Sequence, residues 1–321
     1  MSMELNSSFA CYLQGMLDVK RNSGFSMERL AGHLEDFDRY CIENDVKDTI
    51  LDKELVEGWA LSIEGMSPWW MNSRLCAMRH LGEYLRALGM DAYVSTMRFK
   101  KPKPKQPHLL TDEQLAEFFA AADSLKPSVR TPFRHLVAPV MFRLIYCCGL
   151  RSSEACRLTV EDIDLDSGRI MIMKAKRRKD RVVYAAPDVL ELCKTFDLRI
   201  KAMAPTREFF FPYQDGRGYT CYMVAQLYDK ILNMTTFNNM TSKKPTCHGL
   251  RHLFAVNSMR KCMEEGRDFG QAIFYLSRYL GHEGPQQTLY YLHSSPSIAG
   301  AIRTMAEGLN DVIGGDWYVE D

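Results

Sequence analysis

The sequence CHGLRH, at residues 247–252, opens the stretch on which the rest of the chain depends. His248 and Arg251 lie three residues apart, so on one helical turn they share a face and can reach one small anion together. Cys247, His248 and His252 weakly suggest a zinc site. Residues without a metal at a helix start are the favoured interpretation, because no second ligand cluster has metal-site spacing.

Two further motifs follow along an apolar pattern of helical spacing. In LGH (residues 280–282) the glycine predicts the end of a helix, with His282 near its carboxyl end. TLYYLH (residues 288–293) then brings a tyrosine pair, on a segment that is also predicted to be helical. Imidazole, guanidinium and phenol groups that converge in this way predict chemistry on a phosphate diester.

Composition sets wide bounds on the protein. A chain of 321 residues with 46% hydrophobic and 25% charged residues is typical of a globular protein, and its length suggests two domains. The net charge is only +1, so binding to a polyanion must depend on local basic patches. Ten cysteines without a C-x-x-C pair, and no signal peptide, predict reduced thiols and a cytoplasmic protein. No apolar run is long enough to span a membrane.

The first part of the chain, residues 1 to about 94, is predicted to be a small helical bundle. Ser26 and Ser67 are candidate N-caps, and the helix after Ser67 is expected to end at Gly89. Residues 95–110 contain three prolines, which favour an extended connector between domains. They also carry basic side chains, which suit either a solvated linker or one that follows a phosphate backbone equally well. Those side chains are Arg98, Lys100, Lys101, Lys103 and Lys105.

The second domain is predicted to span residues 111–321. Thr111 and the glutamine three residues later form a capping-box signature. An apolar buried helix is expected to end at Gly149, and Arg151 follows just before a helix that Ser152 or Ser153 would cap. An arginine at such a junction is often a surface residue or the partner of an acid, but it could equally reach into a site.

The one clear strand signal lies at residues 169–185. RIMIM and RVVYA flank a basic segment and predict an antiparallel hairpin with a basic tip. Lysines often protect an exposed hairpin from aggregation, but six cations in eight residues exceed that need and suit a loop that enters a DNA groove. These cations are Lys174, Lys176, Arg177, Arg178, Lys179 and Arg181.

Six positions in this order resemble the tyrosine recombinases, also called the phage integrase family. The family pattern is an arginine after an apolar helix and glycine, a lysine in a β-hairpin, H-x-x-R, L-G-H, and a tyrosine nine residues later. Counting back from Arg181 selects Lys176 over Lys174 as the hairpin lysine. The register from the L-G-H histidine favours Tyr291 over Tyr290, which stays the second choice. The matching residues are Arg151, Lys176, His248, Arg251, His282 and Tyr291.

The resemblance implies a mainly α fold with a small antiparallel β-sheet. It implies an N-terminal core-binding, SAM-like helical bundle (residues 1–94), a basic linker (95–110) and a catalytic domain with a C-terminal helical tail (111–321). With no arm-binding domain ahead of the bundle, we expect a simple two-domain enzyme. DNA would be bound by Lys100, Lys101, Lys103 and Lys105 of the linker and by Lys174, Arg177, Arg178 and Lys179 of the hairpin.

The resemblance also implies a mechanism without metal or other cofactor. Tyr291 would attack a DNA phosphodiester and form a 3′-phosphotyrosyl intermediate, whose bond energy allows religation without ATP. A free phenol ionises near pH 10, so a base such as His248 would help, and His282 would hydrogen-bond the phosphate. The guanidiniums of Arg151 and Arg251 would bind the developing charge. Lys176 would protonate the leaving 5′ oxygen.

The partners that the resemblance implies are double-stranded DNA with a specific recombination site and three further copies of the chain. A homotetramer would synapse two duplexes without any membrane, and an accessory directionality factor could assist it. The amphipathic tail at residues 296–321 would dock on a neighbouring protomer, or else pack within its own chain. A monomeric type IB topoisomerase-like enzyme and a non-catalytic DNA-binding regulator are the alternatives.

Overall fold

The computed structural model describes residues 4–22, 28–100, 108–173, 180–238 and 244–292. The chain divides into two compact units, Met1–Lys105 and Gln106–Asp321. Within the described ranges it is mainly helical, with one small antiparallel sheet, and this confirms the predicted fold class. No helix in these ranges is both apolar enough and long enough to cross a membrane.

The first unit is built from helices that share one apolar core. Trp59, Phe37 and Leu81 are fully buried in that core. The predicted cap at Ser67 is confirmed, because its hydroxyl accepts a hydrogen bond from the Trp70 amide at 3.3 Å. The described helices are α1 (Ala10–Asn22), α2 (Glu28–Glu43), α3 (Lys53–Leu61) and α4 (Pro68–Ala87).

The beginning of the predicted linker lies against this first unit. Ser95 is buried, and the Phe99 amide donates to the Asn72 side-chain oxygen at 3.1 Å. Met97 and Phe99 pack against the core of the unit, since their apolar side chains lose contact with water there. Residues 101–107 lie outside the described part of the chain.

The second unit surrounds the buried helix α6. The predicted capping box is confirmed, because Thr111 and Gln114 each accept a hydrogen bond from the other's backbone amide at the start of α5. The described elements are α5 (Asp112–Asp123), α6 (Arg134–Cys147), α7 (Ser152–Arg157), β1 (Arg169–Ile172), β2 (Arg181–Tyr184), α8 (Pro187–Met203), α9 (Cys221–Leu232), α10 (Cys247–Glu264), α11 (Phe269–Leu280) and α12 (Pro285–Leu292).

Strands β1 and β2 form the predicted antiparallel hairpin. Ile170 pairs with Val183, and both are fully buried, so one face of the hairpin closes the apolar core. The pairing brings Arg181, the first residue of β2, opposite Ile172. The basic tip at residues 174–179 lies outside the described residues.

Two glycines with left-handed backbone conformation follow helices whose ends lie close together in the second unit. Gly149 (φ +62°) follows α6, and a Cβ there would lie 2.5 Å from the Phe254 ring. Gly281 (φ +65°) ends α11 as its C-cap residue. The expectation that Ser152 or Ser153 caps α7 is wrong: the helix begins at Ser152, and Arg151 is itself the N-cap residue. These turns place several of the side chains that the sequence predicts to be catalytic next to each other.

Candidate active site

Arg251, on the first turns of α10, lies at the centre of the site and is completely buried. Its Nη1 donates to the Gly149 carbonyl at 2.5 Å, and its Nη2 donates to the Leu280 carbonyl at 2.5 Å. Both carbonyls belong to helix ends whose oxygens have no partner inside the helix. The guanidinium is therefore held in place by the backbone of two separate helices.

Arg151 approaches the same place from the start of α7. Its Nη2 donates to the Gly281 carbonyl at 2.8 Å, and its Nη1 donates to Glu154 at 2.7 Å. The side chain is 22% exposed, while Arg251 has no exposed surface. Of the two predicted phosphate-binding arginines, Arg151 is thus the one that solvent reaches in this structure.

Glu154 joins the arginines into one network. Arg181 binds both carboxylate oxygens, Nη1 to Oε1 and Nη2 to Oε2, each at 2.8 Å. Arg251 Nη1 lies 3.7 Å from Oε2. Burial alone would raise the pKa of the Glu154 carboxyl, but the hydrogen bonds and charge of Arg181, together with those of Arg151, outweigh it and lower the pKa to about 2. The carboxylate is therefore ionised at neutral pH.

His248 and Tyr291 meet at the mouth of the site. The Tyr291 hydroxyl lies 3.2 Å from His248 Nε2. The imidazole has an exposed side, yet protein surrounds it closely enough that lost hydration, followed by the charges of Arg251 and Arg151, lowers its pKa to about 4. Neutral His248 can therefore accept the phenolic proton at physiological pH.

His252 lies over the ring of Tyr291. The ring centroids are 3.7 Å apart and the planes are inclined by 34°. Burial, His248 and Arg251 lower the pKa of His252 to about 3, so the ring is neutral. Its buried Nδ1 has no hydrogen-bond partner among the described residues. The zinc interpretation gains no support, since no group of three metal-binding side chains is found within the described ranges.

His282 supports Arg251 in this structure. Its Nε2 lies 3.1 Å from Arg251 Nη2, and its Nδ1 lies 2.8 Å from the Thr288 hydroxyl. A guanidinium only donates, so Nε2 accepts and the proton of the neutral ring is on Nδ1, from which it is donated to Thr288. Burial, with Arg251 as the largest charge contribution, lowers the pKa of His282 to about 3. The imidazole therefore orients Arg251 before any phosphate arrives.

The two neighbouring tyrosines differ in their surroundings. Tyr291 is 8% exposed and its hydroxyl points at His248, whereas Tyr290 is 43% exposed and its ring lies 6.4 Å from that of His252. Neighbours on a helix point about 100° apart, so only one can face the site. This geometry supports the choice of Tyr291 as the nucleophile.

The structure brings together five of the six predicted catalytic side chains, Arg151, His248, Arg251, His282 and Tyr291. The sixth, Lys176, lies outside the described residues. The same is true of seven of the eight predicted DNA-binding residues, namely Lys101, Lys103, Lys105, Lys174, Arg177, Arg178 and Lys179. Lys100 is described and is exposed on the first unit.

The model of the phage integrase family matches residues 108–297, more than half of the chain and the whole of the site described above. The chain belongs to the phage integrase family. Among its relatives, the integrase/recombinase candidate y4rE of Sinorhizobium fredii is 27% identical over 291 residues, covering 88% of this chain and 90% of the relative. Tyrosine recombinase XerA of Pyrococcus horikoshii is 23% identical over 308 residues, covering 88% and 96%.

Solved integrase-family structures share the fold. The XerH site-specific recombinase bound to a palindromic difH substrate has a TM-score of 0.64 at 22% identity, covering 94% of this chain and 85% of XerH. The Tn1549 transposon integrase bound to a circular intermediate DNA has a TM-score of 0.62 at 16% identity, covering 91% and 98%. The helical second unit with its hairpin is therefore the fold of an integrase-family protein.

Sequence reasoning missed several members of this integrase-family site. Glu154 was not singled out, although an acid three residues after Arg151 shares its helical face. Arg181 was singled out as a cation of the hairpin tip and as the reference for selecting the hairpin lysine, not as a partner of Glu154, and His252 was considered only as a zinc ligand. Thr288 had no signal beyond its spacing of six residues from His282.

Proposed function

We infer that this chain is a site-specific DNA recombinase that cleaves and rejoins DNA strands through a phosphotyrosyl bond on Tyr291. The observation that carries this conclusion is the 3.2 Å contact between the Tyr291 hydroxyl and a neutral His248, beside two guanidiniums. A nucleophile within hydrogen-bond reach of a base, next to donors for the developing charge, meets the requirements of phosphoryl transfer.

In the proposed reaction Tyr291 Oη attacks the scissile phosphorus while His248 Nε2 takes the phenolic proton. The bond from phosphorus to the 5′ oxygen breaks, a bond from phosphorus to Tyr291 Oη forms, and the phosphate keeps its ester bond to the 3′ oxygen of the DNA. General base assistance of this kind contributes roughly 10²- to 10⁴-fold to the rate. Attack by a free 5′ hydroxyl on the same phosphorus reverses the step and rejoins a strand.

Arg151 and Arg251 are proposed to bind the non-bridging oxygens of the phosphate. Their side chains approach different oxygens of Glu154 and together carry more positive charge than that carboxylate neutralises. His282 would hold Arg251 in place in the free protein. When DNA binds, the ring would take the other neutral tautomer, with the Thr288 hydroxyl donating to Nδ1 and the Nε2 proton donated to the phosphate. Lys176 is proposed as the acid that protonates the leaving 5′ oxygen, on the family resemblance alone.

The assembly and the DNA contacts are proposed from the same resemblance. Two duplexes would be synapsed by four copies of the chain, each binding DNA through the N-terminal bundle (residues 1–94) and through the catalytic domain (111–321), which the linker (95–110) joins. Lys100 and the other basic residues of the linker and hairpin tip would contact phosphates without reading bases. An accessory directionality factor, mobilisation of a genetic element and a cytoplasmic location complete the proposal.

The proposal is tested with nicked suicide duplexes tiled across the DNA that flanks the gene. The full-length protein should form a covalent adduct, visible after denaturing electrophoresis, with at least one duplex, and should join two such sites in a plasmid. Relaxation of plasmids without joining would favour a topoisomerase IB-like activity. Duplex binding without any adduct would favour a non-catalytic regulator.

A further inference from the structure

Arg181 occupies a place in the site that the proposed mechanism leaves without a role. It is the first residue of β2, its side chain is only 8% exposed, and it binds the Glu154 carboxylate through both terminal nitrogens. A bidentate arginine–carboxylate pair is the strongest geometry that these groups adopt. A buried pair of this kind beside the proposed reaction centre changes the net charge that a bound phosphate would meet there.

The effect is clearest from the other partners of Glu154. Its Oε1 also accepts from Arg151 Nη1 at 2.7 Å, and its Oε2 accepts from the Arg151 amide at 2.8 Å and lies 3.7 Å from Arg251 Nη1. Both arginines proposed to bind the phosphate therefore lie next to this single buried negative charge. A carboxylate at this depth requires a cation, because an uncompensated buried charge is costly.

Arg181 changes the charge available to a phosphate. With it, three guanidiniums face one carboxylate, which leaves a surplus of two positive charges. Without it, the surplus falls to one, and Glu154 would draw Arg151 or Arg251 into a closer pair. Since Arg251 is held by the Gly149 and Leu280 carbonyls, Arg151 is the side chain that would respond. It already binds Oε1 through Nη1, and by giving up its bond to the Gly281 carbonyl it would bind the carboxylate through both terminal nitrogens.

Arg181 also supports the turn that carries His282. A Cβ on Gly281 would lie 3.1 Å from Arg181 Nη1 and 3.5 Å from Arg151 Nη1, so the two guanidiniums pack against the bare backbone of that glycine. Arg151 uses this proximity to donate to the Gly281 carbonyl. Displacing Arg181 would therefore remove a contact from the turn as well as a charge from the site.

We propose that Arg181 is a positioning residue that neutralises Glu154 and thereby leaves Arg151 and Arg251 their charge for the scissile phosphate. This inference rests on the function proposed above. It assigns Arg181 no contact with DNA: the residue acts through Glu154 and Arg151. A purely structural role, in which the pair only stabilises the fold, is the competing explanation.

The test compares Arg181→Met with Arg181→Lys, Glu154→Gln and the double change Arg181→Met with Glu154→Gln. Arg207→Met serves as the matched control, since Arg207 is also a buried arginine of the second unit and is paired with Asp197. Single-turnover adduct formation is measured on a suicide duplex that the wild-type protein cleaves. A second duplex carries a methylphosphonate at the scissile position, which removes the formal negative charge of that phosphate.

On the normal duplex Arg181→Met should slow adduct formation roughly 10²-fold, near the loss caused by removing one preorganised donor. The rate of adduct formation in Arg181→Lys should lie between the rates of Arg181→Met and the wild type, since lysine restores the charge without the bidentate geometry. Adding Glu154→Gln to Arg181→Met should raise the rate of adduct formation about tenfold or more, because no carboxylate then competes for Arg151. On the methylphosphonate the Arg181→Met defect should shrink, since less charge has to be bound.

A merely structural role makes a different prediction. Arg181→Met would then behave like Arg207→Met, its defect would be the same on both duplexes, and Glu154→Gln would restore nothing; this pattern would overturn the proposal. Thermal unfolding of the same variants needs no DNA. Independent, additive losses of stability at Arg181 and Glu154 would refute their coupling, even if the wild-type protein trapped no duplex and the proposed function failed.

Discussion

The imidazole of His252 covers one face of the Tyr291 ring, with the two centroids 3.7 Å apart. The other nearby rings, those of His248 and His282, meet Tyr291 edge-on at 5.8 and 5.1 Å. Tyr291, the proposed nucleophile, therefore has one aromatic ring against its face and its hydroxyl directed at His248. Such a surface restricts the rotation of the phenol and fixes the line along which its oxygen points.

Replacement of His252 tests this restriction. His252→Phe should keep adduct formation within a few-fold of wild type, because a planar ring still covers the phenol. His252→Ala should lower the rate by roughly tenfold to 10²-fold, since small misplacements of a reacting atom are costly. Single-turnover rates on a suicide duplex measure both. Equal losses in the two variants would show that the ring nitrogens, not the surface, are needed.

Substitutions of the two neighbouring tyrosines should have different effects on adduct formation. Tyr291→Phe should abolish the covalent adduct without weakening duplex binding, because only the hydroxyl is lost. Tyr290→Phe should still trap DNA, since its side chain is 43% exposed and the Tyr291 hydroxyl is the one within reach of His248. Denaturing electrophoresis of the trapped complex gives the answer. Adducts in both variants would mean that another residue is the nucleophile.

Gly281 should be intolerant of a side chain for two separable reasons. Its φ of +65° strains any L-residue by about 1–2 kcal/mol, and a Cβ would press on Arg181. Gly266 is the matched control, since its φ is +69° and a Cβ there would meet no atom of the described structure within 4 Å. Gly266→Ala should lose only unfolding free energy, whereas Gly281→Ala should also lose cleavage. Unchanged cleavage in Gly281→Ala would contradict the tight packing of the turn.

Stability should depend on pH through the buried imidazoles. The pKa values of His252 and His282 are lowered to about 3 by burial and then by neighbouring groups, His248 for the former and Arg251 for the latter, whereas an unfolded chain titrates near 6.5. The unfolded state therefore binds more protons below pH 6.5, so stability is full above that pH and falls as pH decreases toward about 3.

Between pH 7.5 and 5.0 the melting temperature should accordingly fall by roughly 5 °C or more. Circular dichroism melts give this slope. His248, whose pKa is lowered to about 4, adds to the same slope, and His252→Phe should make the slope shallower by removing one of these groups. Parallel curves for the variant and the wild type would show that His252 is not kept neutral by the fold.

Removal of residues 296–321 tests the proposed contact between protomers. The truncated protein should still bind a single duplex, because the DNA contacts proposed above lie elsewhere in the chain. Recombination between two sites should be abolished if the tail couples activity to assembly. Gel shifts and a two-site plasmid assay separate these steps. Recombination by the truncated protein would refute the coupling.

Local signals in the sequence predicted the fold well. The capping box at Thr111, the hairpin around residues 169–185 and the glycine after α11 each depend on neighbours within a few residues, and all are present. The cap of α7 was missed because Ser152 and Ser153 compete for one position that Arg151 takes. Scales of N-cap preference do not include the contact with Glu154, which accepts hydrogen bonds from both the amide and the guanidinium of Arg151.

The site was only partly predictable, because its supporting contacts join distant parts of the chain. Arg251 and the Gly149 carbonyl are 102 residues apart, and Arg181 and Glu154 are 27 apart. Motif spacing identifies residues that touch substrate, but not the partners that neutralise or orient them. His252 illustrates this limit, since the ring that it covers, that of Tyr291, belongs to α12 and not to the neighbouring helix α11.

Arg251 binds the carbonyl of Leu280, the last residue of α11, and that of Gly149, just after α6, so the side chain that is proposed to bind phosphate also joins two helix ends. A substitution of Arg251 would therefore destabilise the fold as well as remove activity, so the two effects could not be separated. An inactive but folded variant for trapping DNA assemblies is better made by Tyr291→Phe, which leaves the Arg251 guanidinium in place.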